Sequence, residues 1–310
     1  MPNHNLYAVL RAGFPADLDA TAVETCDTAA PLYYTWRDLE RGSARFANLL
    51  DALEIPAGSR VAVHADKRVE TLMLYLAVLR AGHIYLPLNS AYQAAELDYF
   101  IGNAEPAVVV CAKRNFPWIS KLAFAAGVHN VFTLDADRSG SLLERAAFMA
   151  DEHIVALRSA DNLAAILYTS GTTGRSKGAM LTHGNLVSNA RVLKDYWGWR
   201  QGPQDGGKPP SPPEGSGSAR ERPSADPGRD VLIHALPIFH VHGLFVAIHG
   251  ALLAGSKTLW FEKFDPRATI REMARATVMM GVPTLYVRML AEPSLTKDAA
   301  SHMRLFIAGS

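Results

Sequence analysis

The chain has 310 residues, 49% hydrophobic and 20% charged, enough to bury one large core or two smaller ones. Its 31 Lys and Arg nearly balance 30 Asp and Glu, so a net charge of +1 gives no electrostatic ground for a nucleic-acid or acidic-membrane partner, and any polyanion must be held locally. Two cysteines, Cys26 and Cys111, are too few for a disulfide framework and lie among apolar residues, which predicts free thiols in a reducing cytosol.

The opening stretch MPNHNLYAVLRAGFPADLDA has no basic region leading into a long apolar run and contains acidic residues that a transit peptide avoids, so no targeting signal is expected. Thr35 is a predicted N-cap, because Leu39, Phe46, Leu49, Leu50 and Leu53 recur behind it near helical spacing. RVAVHA (60 to 65) reads as a strand, LMLYLAVLRAG as a helix ending at Gly82, IYLPL as a strand, AAELDYFIGNA as a helix and AVVVCA (107 to 112) as a strand. HNVFTL (129 to 134) and LAAILYT (163 to 169) continue the alternation. Strands alternating with helices of this length predict an α/β fold of mostly parallel sheets with flanking helices. The apolar run from Val241 to Leu253 is broken by His and Gly and falls short of the ~20 residues of a membrane span.

Between 201 and 229 the chain turns to Pro, Gly, Ser and charge, with no aliphatic side chain larger than Ala. Such a segment buries too little apolar surface to offset the entropy of ordering, which predicts a disordered insertion. Its PPSPP could serve a proline-binding partner, although a plain linker has the same composition. VLIHALPIF resumes as a strand beyond it, so the insertion interrupts one domain and does not separate two.

Directly after LAAILY comes Thr169-Ser170-Gly171-Thr172-Thr173-Gly174-Arg175-Ser176-Lys177-Gly178. Glycines let the backbone bring N–H groups to an anion, the hydroxyls add donors, and Lys177 supplies a charge suited to a polyphosphate. A Walker A loop is excluded, since that motif needs Gly directly before Lys and here Ser176 precedes Lys177.

TSGTTGRSKG followed by AMLTHGNL resembles the phosphate-loop signature of the adenylate-forming superfamily, which includes acyl-CoA synthetases, luciferases and peptide synthetase adenylation domains. RAGHIYLPLNSAYQAAELDYFIGNAEPAVVV and LPIFHVHGLF resemble two further stretches of the family, and the likeness covers nearly all of the chain outside 201 to 229. The resemblance implies the large N-terminal domain of that fold. It also implies two half-reactions: a carboxylate attacks the α-phosphate of ATP, then the CoA thiol attacks the acyl-adenylate and releases AMP. Thr169, Ser170, Gly171, Thr172, Thr173, Gly174 and Lys177 would hold the nucleotide, with Mg²⁺ bridging its phosphates. Thr173, Lys177 and His240 would take part in catalysis, while His242 and Ser310 would lie at the acyl pocket. His234 and His249 remain unassigned.

MGVPTLYVRML resembles the family's pocket-lining stretch, usually apolar where this chain has Arg288. A guanidinium there would match a second carboxylate on the substrate. LPLNSAY, ELDYFIGNAEP and VPTLYVRML resemble malonyl-CoA synthetases more than ligases for acetate, fatty acids or hydroxycinnamates, so malonate is expected, with methylmalonate second. Otherwise Arg288 would be a helix-surface residue paired with Glu292. The resemblance further implies that a ribose-binding Asp, a Mg²⁺-binding Glu and a small C-terminal lid lie beyond LFIAGS, and that the chain as given has little ligase activity.

Overall fold

The computed structural model describes residues 3–28, 30–169, 176–202 and 228–309. Twelve strands are present among them: β1 (Thr21–Thr25), β2 (Tyr33–Thr35), β3 (Arg60–His64), β4 (Ile84–Pro87), β5 (Val108–Cys111), β6 (Asn130–Thr133), β7 (Leu163–Thr169), β8 (Lys177–Thr182), β9 (Val231–His234), β10 (Lys257–Trp260), β11 (Val278–Gly281) and β12 (Leu305–Ala308). The α-helices are α1 (Leu6–Arg11), α2 (Trp36–Asp51), α3 (Val69–Arg80), α4 (Ala94–Ala104), α5 (Phe116–Ala125), α6 (Ser141–Ala146), α7 (His183–Tyr196), α8 (His249–Ala254), α9 (Pro266–Glu272) and α10 (Pro283–Leu290).

The strands form two six-stranded sheets, ordered β12-β11-β9-β10-β1-β2 and β6-β5-β3-β4-β7-β8. All pairings are parallel except β1 with β2 and β7 with β8. The sequence pattern anticipates β3, β4, β5, β6, β7 and the start of β9, and of these β4, β5 and β9 are four-residue runs buried on both faces. It does not anticipate β8, whose side chains are largely exposed and so lack a hydrophobic signature.

Period-two alternation assigns the faces of each sheet. Val61, Val63, Tyr85 and Val110 point at α3, whereas Ala62, Leu86, Val109 and Cys111 pack against Leu97 and Ile101 of α4 and Ile119 of α5. In the other sheet, Val231, Ile233, Leu259 and Phe261 meet α9 and α10, while Leu232, Val278 and Met280 meet Ala247, Ala251 and Ala254. The result is a helix–sheet–helix–sheet–helix stack. α3 lies in the middle layer with every residue buried, as expected of a helix that is apolar all round. α2 has one apolar face and begins at Thr35, the N-cap the sequence predicts, where a capping box with Asp38 satisfies the first free N–H groups.

Cys111 is buried and Cys26 partly so, and both are free thiols. Gln201 and Arg229 form an antiparallel bridge at the ends of the Pro/Gly/Ser-rich segment, of which residues 203–227 lie outside the described part. No described helix is long and apolar enough to cross a membrane.

Candidate functional site

Strands β7 and β8 are joined by the Ser/Thr/Gly loop, and Thr169 stands opposite Lys177 in their ladder. Ser170, Gly171, Thr172, Thr173 and Gly174, all assigned to the nucleotide by the sequence, lie outside the described residues. The two ends that hold the loop are visible. Thr169 and Lys177 are both exposed, with Thr169 Oγ1 donating to the Lys177 carbonyl at 3.5 Å. Tyr99 of α4 donates its hydroxyl to the Ser176 carbonyl at 2.8 Å, and Tyr168 donates to Asn103 Oδ1 at 2.6 Å, so α4 pins both arms of the hairpin. Gly178 must lack a side chain, because a Cβ there would lie 2.9 Å from Ile166 Cγ2.

The second group of residues gathers where β9, β11 and β12 end. These strands run parallel with Met280 beside His234 and Gly281 beside Ala308, so their carboxyl ends open on one edge. Open α/β sheets bind ligands outside the carboxyl ends of their strands. β9 stops at His234, and the chain turns through Pro237 into a wide helix over His242–Ile248 that continues as α8. A Cβ at Gly243 would lie 2.0 Å from the Pro237 carbonyl oxygen, so only glycine permits this entry.

His242 packs its ring against Gly309, with Nδ1 3.2 Å from the Gly309 carbonyl. The neutral imidazole can hold this contact only as the Nδ1–H donor, which leaves a lone pair on Nε2. Desolvation pushes His242 below its ordinary range and the Gly309 carbonyl pulls it partly back; His240 is lowered by desolvation too, although its residue is largely exposed. Both rings are therefore mainly neutral at pH 7. Tyr286 links the ends of β11 and β12 by donating to the Ile307 carbonyl at 2.7 Å and reaching that of Met279 at 3.2 Å.

Arg288 sits on α10 and is exposed, its guanidinium carbon 4.9 Å from the centre of the Phe264 ring. Glu292, the partner suggested by helix spacing, is held instead by Arg267 at 2.9 Å. The structure thus brings His242 to the end of β12 and leaves Arg288 on the α9 side of α10. Ser310 lies outside the described residues. His234 and His249 are fully buried: His234 stacks on Trp260 with its Nε2 2.9 Å from the Gly243 carbonyl, and His249 Nε2 shares a hydrogen bond with the Tyr75 hydroxyl at 2.7 Å. Gly281 and Tyr286 fall within MGVPTLYVRML, the stretch that resembles the family's pocket lining, but their contacts with Gly309 and Ile307 run through a neighbouring strand and are not written in that stretch. A cavity of about 500 Å³ lined by Asn3, Val9, Gly13, Arg191, Lys194 and Leu253, and another of about 310 Å³ by Gly58, Ile84 and Arg158, touch neither group.

Residues 16–310 match the family model described as AMP-binding enzyme. The chain belongs to that family. Among its relatives, a long-chain-fatty-acid–CoA ligase of Bacillus subtilis is 24% identical over 100% of the chain and 56% of the relative. A feruloyl-CoA synthase of Amycolatopsis is 30% identical over 94% of the chain and 51% of the relative. The crystal structure of ATP-bound MatB from Rhodopseudomonas palustris superposes with a TM-score of 0.86 at 46% identity, over 100% of this chain and 55% of that one. The chain therefore spans about half the length of the relatives it matches. Its mixed α/β fold with mostly parallel sheets is that of the N-terminal part of the adenylate-forming large domain.

Proposed function

We propose that this chain is the nucleotide- and acid-recognising part of an AMP-forming acid–thiol ligase that activates malonate, with methylmalonate as a second substrate. The observation that supports this most is the 46% identity to ATP-bound MatB, against 24% to the fatty-acid ligase over the same full span of the chain. It accords with the resemblance of LPLNSAY and VPTLYVRML to malonyl-CoA synthetases.

In this reading the Ser/Thr/Gly loop wraps the triphosphate, and Lys177, at the mouth of the hairpin, screens the repulsion between an incoming carboxylate and the α-phosphate. Among the described residues no three His, Cys, Asp or Glu side chains converge to hold a metal ion. From this chain, loop hydroxyls such as Thr169 would help to hold Mg²⁺, together with the Glu that the resemblance implies beyond LFIAGS, and the ion would neutralise phosphate charge. His240 and His242, uncharged near pH 7, flank the strand ends where the acyl group and later the CoA thiol would meet. Arg288 would turn from Phe264 to pair with the distal carboxylate of malonate.

A second reading, a ligase for a monocarboxylic acid, is favoured by the exposed position of Arg288 over Phe264. AMP release by the purified chain with ATP, Mg²⁺ and CoA, using malonate, methylmalonate and acetate in parallel, separates the two. Malonate turnover that exceeds acetate and falls about tenfold or more in Arg288→Met supports the first. Equal use of acetate supports the second; ATP binding without AMP release from any acid would accord with the expectation that the chain as given has little ligase activity, and would raise a noncatalytic nucleotide-binding role above both.

A further inference from the structure

Lys67 lies in the turn that leaves β3, within the charged run Asp66-Lys67-Arg68. Its two neighbours make ion pairs: Asp66 accepts both arms of Arg114 at 2.8 Å, and Arg68 meets Glu262. Lys67 crosses from one sheet to the other. Its ammonium donates to the His234 carbonyl at 2.9 Å and to the Phe261 carbonyl, and Nζ stands 4.5 Å from the centre of the Trp260 ring. These carbonyls belong to neighbouring strand ends, since His234 is in register with Trp260. Enclosure pushes the amine well below its ordinary range, with Asp27 offsetting only part of the shift.

From there the path continues through the His234 side chain. The ring is stacked on Trp260 at 5.1 Å, its Nε2 lies 2.9 Å from the Gly243 carbonyl, and Nδ1 has no hydrogen-bond partner. This is the pattern of a neutral imidazole donating from Nε2. Gly243 follows His242, which leans on Gly309 at the end of β12. One side chain therefore holds the backbone where β9 ends, and the next holds the backbone where the two-histidine turn becomes a helix.

We propose that Lys67 and His234 are positioning residues: Lys67 registers the sheet bearing the Ser/Thr/Gly loop against the end of β9, and His234 passes that register through Gly243 to the His240–His242 turn. This rests on the reading of that turn as part of the ligase site, and neither residue needs to touch a substrate. A brace that only adds stability would lower the unfolding midpoint of the whole chain equally. A positioning pair also changes the turn within the folded protein.

Backbone hydrogen exchange and histidine-selective NMR on the chain, on Lys67→Met and on His234→Phe make the distinction. In both variants the amides of residues 243–248 should exchange about tenfold faster or more and the His242 ring signals should shift, while β5 and β6 keep their protection. Lys67→Arg, which retains donors for the two carbonyls, should restore most of the protection. Should Lys67→Met fail to fold, His234→Phe, which keeps an aromatic ring on Trp260 and removes the donor to Gly243, provides the same test. Unchanged exchange at 243–248 and unshifted His242 signals in a folded variant overturn the proposal. No substrate enters these measurements, so failure of the malonate reading in the turnover panel is seen separately.

Discussion

In the sheet that ends at β8, the residues assigned to the nucleotide form one continuous stretch between two paired strands, with Thr169 opposite Lys177 and α4 holding both arms. In the other sheet, the histidine turn, the Gly281 and Gly309 backbone and Tyr286 come from the ends of β9, β11 and β12 and from α10. The first region depends on local pairing, and its described ends, Thr169 and Lys177, are exposed. The second exists only if strands far apart in sequence are held in register, so its geometry is bound up with the stability of the whole sheet. Damage to a side chain should therefore cost binding in the first region and folding in the second.

The largest effect is expected at the far ends of the same three strands. Asp230 is wholly buried and accepts from Arg304 Nε at 3.1 Å, Thr277 Oγ1 at 2.8 Å and the Arg200 amide at 2.8 Å. Arg304→Met leaves that carboxylate without its cation and should lower stability by about 3–5 kcal/mol in urea unfolding. A loss below about 1 kcal/mol would break the contrast, since the distributed region would then tolerate loss of register.

Lys177→Ala tests the opposite expectation. An exposed side chain should change stability by no more than about 0.5 kcal/mol. Affinity for ATP, measured by titration calorimetry, should nevertheless fall about 10- to 100-fold, roughly 1.4–2.8 kcal/mol. Equal affinity in the variant would remove Lys177 from the nucleotide site.

Acid should act on both regions through buried neutral histidines. Burial pushes His183, which accepts the Leu6 amide at 3.0 Å, down to about 4, and pushes His249 down to about 3. As pH falls below the ordinary value near 6.5, the unfolded chain takes up protons that the folded chain refuses. Stability is thus complete above pH 6.5 and is lost progressively toward pH 4, by at most about 1.4 kcal/mol per pH unit for each ring. Urea midpoints at pH 7, 6 and 5 should show the slope, and His183→Gln should flatten it by about 1 kcal/mol per unit. An unaltered slope would show that His183 does not contribute.

Much of the fold was legible because its signals are local. The capping box at Thr35 and the four-residue apolar strands each announce themselves within one turn or one run. The strand β8 was not, since Lys177, Ala179 and Met180 are exposed and its pairing with β7 is set by the loop between them. Lys67 carried no signal for the same kind of reason. Between Asp66 and Arg68 it has the composition of a surface, and only the packing of one sheet edge against the other encloses its ammonium. Arg288 shows the reverse: the sequence singles out a cation in an apolar stretch, while the fold decides that its neighbour is Phe264.

The sequence by itself determined the alternation of helices and strands, the likeness to AMP-binding enzymes and the hydroxyl- and glycine-rich loop, because periodicity, capping and a contiguous motif are written in neighbouring residues. Only the tertiary structure decided that there are two sheets with α3 between them, that His242 meets Gly309, and that Lys67 and His234 hold the turn from behind. Those contacts join residues dozens to more than a hundred positions apart, apart from the short closure of His234 on Gly243. Their partners are chosen by burial and by the need of enclosed donors and carbonyls to find one another, which no local pattern records.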